Sequence, residues 1–327
     1  MPTRVLLTGA SGFIGGHLLA ALCERGIPVR AMFRQAGALQ AVGRQVETVT
    51  ADLLDPPALA RACADVNLII HCAGHAHAHG ATAADARHHF ETNLVGTRNL
   101  GDAAVAAGVS RLVFLSSVKA VGAPGAECVA EDWPHPPETP YGRAKREAEA
   151  ALREIAAEHP LEIVILRPAM VYGPGSRGNL ERMARGIRAG WFPPLPETGQ
   201  RRSLVHVDDV VAAVLCVMAD ERAVGHTYFV AHPQAHSGAE LQAAIRRALG
   251  LAPQRWHVPQ GVLRTAGRLG DWLGRLSGRR FPIDGEVLAR LLGPECYDPA
   301  AIYRDLGWQA RVSLANGLAG LFRGAGE

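Results

Sequence analysis

Several common routes to function are closed off by what this chain has little of. It carries 34 Lys and Arg against 31 Asp and Glu, and a formal charge of +3 is too small to hold a nucleic-acid backbone. Its arginine pairs, Arg201-Arg202 and Arg279-Arg280, are too short to read as polybasic segments. No apolar run reaches the length of a membrane span; the most apolar stretch, 205–218, is broken by Asp208 and Asp209. The six cysteines (Cys23, Cys63, Cys72, Cys128, Cys216 and Cys296) form no C-x-x-C pair and no regular framework, which predicts free thiols in a reducing compartment. Strand-like sequence from Arg4 onward leaves no room for a secretory leader, so a cytoplasmic protein is expected. At 327 residues, 48% hydrophobic and 20% charged, the chain has the composition of a globular protein large enough for one large domain or two smaller ones.

The strongest signal lies near the start. Residues 4–8 (R-V-L-L-T) read as a buried strand, and Gly9-Ala10-Ser11-Gly12-Phe13-Ile14-Gly15 follows directly. Apolar residues at helical spacing then begin with Ile14, Leu18, Leu19 and Leu22. Strand, glycine loop and helix in succession make a dinucleotide site. Gly9 permits the sharp turn, Gly12 lets backbone N–H groups approach a pyrophosphate, and Gly15 lets the helix pack on the strand. The helix N-terminus offers free N–H groups and the positive end of its dipole.

Further strands are expected at 28–33, 46–49, 67–71 and 111–115, with a long helix over 83–107. This alternation implies an α/β protein with a parallel sheet covered on both faces and ligands at the carboxyl ends of the strands. An acid closing the second strand would favour NAD. Here Met32-Phe33-Arg34 stands instead, and Arg34 with Arg30 suits a 2′-phosphate, so NADP is favoured slightly over NAD. Asp52, after the third strand, is placed to reach the adenine. The histidines at 71, 75, 77, 79, 88 and 89 lack the Cys or carboxylate partners of usual metal spacing, so a loop beside the cofactor is expected and no metal.

Ser116 and Ser117 close the fifth strand, and Tyr141-Gly142-Arg143-Ala144-Lys145 opens a helix. Spacing of four puts Tyr141 and Lys145 on one face. A nearby ammonium favours the phenolate, and Ser117 can bond the same reacting oxygen. The three together suit proton transfer at a carbinol or carbonyl while a nicotinamide exchanges hydride with the carbon.

These motifs, with A-D-L at 51–53, H-C-A-G at 71–74, N-L-V-G-T at 93–97, L-R-P-A-M-V-Y-G-P-G at 166–175, R-S-L-V-H-V-D-D-V at 202–210 and L-G-W at 306–308, resemble an extended short-chain dehydrogenase/reductase of the nucleotide-sugar epimerase/dehydratase family. The resemblance implies a Rossmann-type doubly wound parallel sheet over 1–168, with 203–230 packing back on it, and a smaller α/β substrate domain over 169–327. It implies a homodimer through helices near 83–107 and 141–158. It carries Gly9, Ser11, Gly12, Phe13, Ile14, Gly15, Arg34, Asp52, Leu53, Cys72, Ala73, Gly74, Asn93, Tyr141, Lys145 and Pro168 onto the cofactor. His75, Ser117, Asn179 and Arg202 fall on the substrate, the last two at a nucleotide diphosphate.

Dehydratases of this kind carry an Asp-Glu pair after the catalytic Ser or Thr, and decarboxylases a Glu; Val118 and Lys119 are neither. A 4-epimerase or a 4-keto reductase remains. The segments at 74–78, 172–180 and 195–205 resemble UDP-N-acetylhexosamine 4-epimerases and related UDP-sugar 4-reductases, although Val121 stands where many epimerases have tyrosine. A non-sugar carbonyl reductase and a non-catalytic NADP-binding regulator are the other readings. Asp208 and Asp209 are expected to cap a helix. The basic amphipathic stretch 263–276 is expected to pack with an exposed basic face rather than to lie on a membrane. The resemblance places Glu295-Cys296-Tyr297 as a gate over the sugar.

Overall fold

Short, mostly apolar strands lie side by side in parallel, buried along nearly all their length except the exposed edge strand β3. β1 (Val5–Thr8), β2 (Val29–Phe33), β3 (Glu47–Thr50), β4 (Leu68–His71), β5 (Arg111–Leu115) and β6 (Glu162–Pro168) are joined by β9 (Thr227–Val230) in the order β3-β2-β1-β4-β5-β6-β9. Adjacent strands are parallel throughout. Such strands need cover on both faces, which accounts for their unbroken hydrophobic runs. The computed structural model describes residues 4–35, 46–75, 83–125, 127–176, 178–277, 285 and 293–323.

Alternation along β1 divides the core. Val5 and Leu7 pack toward α1 (Phe13–Glu24), α7 (Val207–Ala219) and α10 (Ala300–Leu306). Leu6 points the other way, toward α2 (Pro56–Cys63), α4 (Gly96–Ala106) and α5 (Pro140–Glu158). α7 and β9 thus belong to the layers of the large sheet although they come late in the chain. A separate apolar cluster joins β7 (Met170–Tyr172), β8 (Leu204–His206), α6 (Asn179–Arg188), α8 (Gly238–Ala248), α9 (Gln260–Ser277) and α11 (Leu314–Arg323). The expected Asp208-Asp209 cap is made differently: His206 caps α7, and the Asp209 carboxylate accepts from the N–H groups of Arg311 and Val312.

Four expectations are corrected. The helix over 83–107 is α3 (Ala83–His89), a π-helical turn over Phe90–Val95, and α4; the widened turn carries Asn93 into the site. The cysteines are not all free thiols: Cys128 and Cys296 form a disulfide, while Cys23, Cys63, Cys72 and Cys216 are free. Their backbones are drawn together by a parallel bridge, with Val129 donating to Cys296 O at 3.1 Å and Asp298 donating to Val129 O at 2.9 Å. Arg30 is not available to a phosphate, because its guanidinium is buried against Glu47 and the carbonyls of Ala62 and Ala64. Finally, α9 does not turn only basic surface outward: Val262, Leu269 and Trp272 are 57%, 55% and 57% exposed. Among the described residues no helix is long and apolar enough to cross a membrane. His77, His79, Arg279 and Arg280 lie outside the described residues.

Candidate active site

The glycine loop is built for close approach. Gly9 has φ +70°, and a Cβ there would sit 2.6 Å from the Ala73 nitrogen. A Cβ on Gly15 would run into the Gly9 carbonyl. Gly12 donates to Gly9 O at 2.9 Å and heads α1 without any side-chain cap or acid in the first turn. The N–H groups of that turn are therefore free for an external acceptor. Ser11 is exposed at the loop tip, and Phe13 and Ile14 are half-buried at the helix start. These residues fit a dinucleotide pyrophosphate.

Around the loop, the ends of the neighbouring strands are pinned together. The Thr8 hydroxyl bonds His71 Nδ1 at 2.7 Å and accepts from Ala73 N at 3.1 Å, while His71 Nε2 meets Thr97 Oγ1 at 3.0 Å. Burial, with help from the Lys145 charge, drops the His71 pKa to about 3, so this histidine is a neutral brace. Burial likewise holds the Cys72 thiol at about 12, protonated and inert. Asn93 clamps the next residue on both sides, accepting from His75 N at 2.7 Å and donating to His75 O at 2.9 Å. A Cβ on Gly74 would strike Asn93 Oδ1 at 2.9 Å, which requires glycine there. On the adenine side Asp52 is exposed and bonds Leu54 N, Leu53 is buried beneath Gly96, and Arg34 is exposed just past β2.

Thr139 caps α5, accepting from Gly142 N at 3.1 Å, and Pro140 occupies its first turn. Tyr141 follows, with the Ser117 side chain beside its phenol. Ser117 itself lies just past β5 and accepts from Lys119 N at 3.2 Å. Lys145, one turn along α5, is buried and donates to Leu115 O at 2.9 Å, its ammonium 4.5 Å from the Phe114 ring centre. Burial lowers the Lys145 pKa to about 8, against the pull of Cys72 and Glu149. Tyr141 moves the opposite way from the expected phenolate. Burial raises its pKa, opposed by the Ser117 hydrogen bond, so the resting group is a phenol. Desolvation of the phenol outweighs the Ser117 contribution, while Lys145 donates to the Leu115 carbonyl.

Farther out lies a charged wall. Arg202, buried, donates to Glu295 Oε2 at 2.8 Å, and Lys119 pairs with the other oxygen of the same carboxylate. The disulfide is anchored at the next residue, Cys296, and Tyr297 is buried beneath Phe229 rather than standing as an open gate. Asn179 is exposed at the start of α6, and Pro168 closes β6.

The sequence profile of the NAD dependent epimerase/dehydratase family matches residues 5–231. The chain belongs to this family. It is 30% identical over 330 residues to UDP-glucose 4-epimerase of Vibrio cholerae, covering 97% of this chain and 94% of that protein. It is also 30% identical over 338 residues to 2-alkyl-3-oxoalkanoate reductase of Stenotrophomonas maltophilia strain K279a, covering 96% and 97%. The crystal structure of Thermus thermophilus UDP-glucose 4-epimerase complexed with NAD matches with TM-score 0.76 and 26% identity, over 99% of this chain and 100% of that one.

Within this epimerase/dehydratase fold, three features escape a reading of the sequence. His89 is buried 5.5 Å, ring to ring, from Tyr141 and meets the carbonyl of His75 through Nδ1 at 3.0 Å; only the density of histidines hints at it. Glu149 pairs with Arg167 under the site, though spacing of four from Lys145 puts it on the same helix face. The Lys119–Glu295 pair joins residues too far apart in the chain for any local pattern to reveal.

Proposed function

We propose that this family member is a nucleotide-sugar 4-epimerase, acting on a UDP-hexose or UDP-N-acetylhexosamine through a 4-keto intermediate. The observation that carries the reading is the placement of Ser117 and Tyr141 together just past the carboxyl end of β5, in a fold whose α1 starts without a cap. Names of the Vibrio and Thermus relatives support it. A bound nicotinamide supplies hydride exchange at C4. Tyr141 takes the O4 proton and returns it, and Ser117 holds the same oxygen in line. Lys145 keeps a positive charge one helical turn from the phenol, which offsets part of the cost of ionising it. Arg202 and Lys119, now sharing Glu295, are the cations on hand for a diphosphate.

NAD is the cofactor that suits this reading, since Arg30 is engaged by Glu47 and two carbonyls, and of the two arginines expected at a 2′-phosphate Arg34 is the one still exposed. A second reading is a 4-keto reductase using NADPH. It is favoured by the missing acid after β2 and by the reductase name of the Stenotrophomonas relative. A regulator without catalysis would have no use for Ser117, Tyr141 and Lys145 held together. The homodimer belongs to the same proposal, and Phe90 and Val95, 48% and 36% exposed, supply apolar surface on the expected helix pair.

The test is proton NMR of the purified protein with UDP-GlcNAc and no added cofactor. Growth of the UDP-GalNAc anomeric signal is the expected result. If no UDP-hexose or UDP-N-acetylhexosamine changes, while a 4-keto sugar nucleotide consumes NADPH, the reductase replaces the epimerase.

A further inference from the structure

α9 touches the rest of the protein along one narrow face. Leu263, Gly267 and Gly270 lie on it and are buried. A surface helix ordinarily turns its large apolar residues inward. Among the described residues the inward face is Leu263 with two glycines. Val262, Ala266, Leu269 and Trp272 follow one another at helical spacing and are all exposed. Trp256, just upstream in the chain, is 61% exposed. A continuous outward stripe of this kind marks a surface that something covers.

Charge identifies what covers it. Arg268 is exposed beside the stripe, and Arg264 and Arg275 recur at helical spacing from it in the sequence. Asp271 is the only acid in the helix. It is half-buried, and its carboxylate accepts from Gly285 N at 3.1 Å, which turns it toward the protein. The surface on offer is therefore apolar with a cationic border and a tryptophan at the boundary. That is the makeup of a helix lying in the headgroup plane of an anionic bilayer.

We propose that α9 docks the protein on an anionic lipid surface, with Val262, Leu269 and Trp272 entering the headgroup region and Arg268 meeting lipid phosphates. The docking is independent of the reaction at Tyr141, since α9 contributes none of the residues of that site.

The full chain is sedimented with vesicles of phosphatidylethanolamine containing about a quarter phosphatidylglycerol, and with vesicles of phosphatidylcholine alone. Binding to the anionic vesicles, weakened by added salt, is expected. The Leu269→Ser/Trp272→Ser variant reduces it about tenfold or more, and Arg268→Glu reduces it roughly tenfold at low salt. Both variants keep the wild-type melting temperature and the wild-type turnover of a water-soluble UDP-sugar, because all three side chains are exposed and remote from the site. The proposal is overturned if the wild type does not bind anionic vesicles, or if the double variant binds them equally well. It is also overturned if sedimentation velocity shows a dimer that the double variant dissolves while the wild type ignores both kinds of vesicle. That result would make the stripe a contact between copies.

Discussion

Replacing Glu149 with Gln tests whether the floor of the site is held by charge. Glu149 is fully buried, 0% exposed, one turn beyond Lys145 on α5. Arg167 on β6 donates to its two oxygens at 2.9 and 2.6 Å, and Ser116 at the end of β5 donates at 2.5 Å. The carboxylate thus ties α5 to two adjacent strands. Gln keeps the shape but removes the charge and turns one acceptor into a donor. Arg167 is then left buried with only neutral acceptors, the remaining amide oxygen and the Glu131 carbonyl at 2.9 Å. Breaking a buried pair from one side costs about 3–5 kcal/mol, a large part of the about 5–15 kcal/mol that a folded chain commands. Equilibrium urea unfolding near neutral pH should show that loss at unchanged m-value. The paired replacement Glu149→Met with Arg167→Met should recover most of it, because no orphaned charge remains. A loss below about 1 kcal/mol in the single variant, or a paired variant worse than the single one, refutes the reasoning. The same substitution removes one of the charges that support the Lys145 ammonium, so the Lys145 pKa should fall further below about 8.

Tyr141→Phe should cut turnover by about 100-fold to 10,000-fold while NAD binding, followed by fluorescence, is retained; turnover within tenfold of wild type would remove Tyr141 from the mechanism. Burial holds Lys145 at about 8 in the folded protein against an ordinary 10.5, so its ammonium is lost as pH rises through 8. Turnover should fall there, and Lys145→Arg, which keeps its charge, should abolish that alkaline limb in a pH–rate profile. The sign for stability is opposite: between pH 8 and 10.5 the unfolded chain binds more protons at this residue, so its contribution to unfolding free energy rises with pH, and Lys145→Met should flatten that part of the curve. Gly15→Ala should force α1 away from Gly9, costing about 1–3 kcal/mol of stability and weakening NAD binding in isothermal titration; unchanged affinity would show that the loop does not seat the pyrophosphate.

The parts of the molecule governed by local rules are readable from the sequence. Continuous apolar runs such as Leu68–Ile70 need a sheet covered on both sides. Gly9 and Gly15 each answer a backbone requirement that no other residue meets. Tyr141 and Lys145 share a helix face by spacing alone. What cannot be read depends on which distant segments come together. Arg30 lies one strand from the adenine end, yet the carbonyls of Ala62 and Ala64 claim it. Cys128 and Cys296 are separated by 168 positions, and only the Val129–Tyr297 bridge explains their pairing. The resting state of Tyr141 differs from expectation because spacing reveals proximity to Lys145 but not the burial of the phenol.

The charged wall also sets an order of manufacture. Lys119, Cys128 and Arg202 leave the ribosome well before Glu295 and Cys296, their partners. A chain that folds from its amino end can finish the nucleotide-binding sheet through β9 while this side of the pocket is still open. Synthesis of the segment that carries Glu295 and Cys296 closes it, so the large sheet can form before this wall is complete.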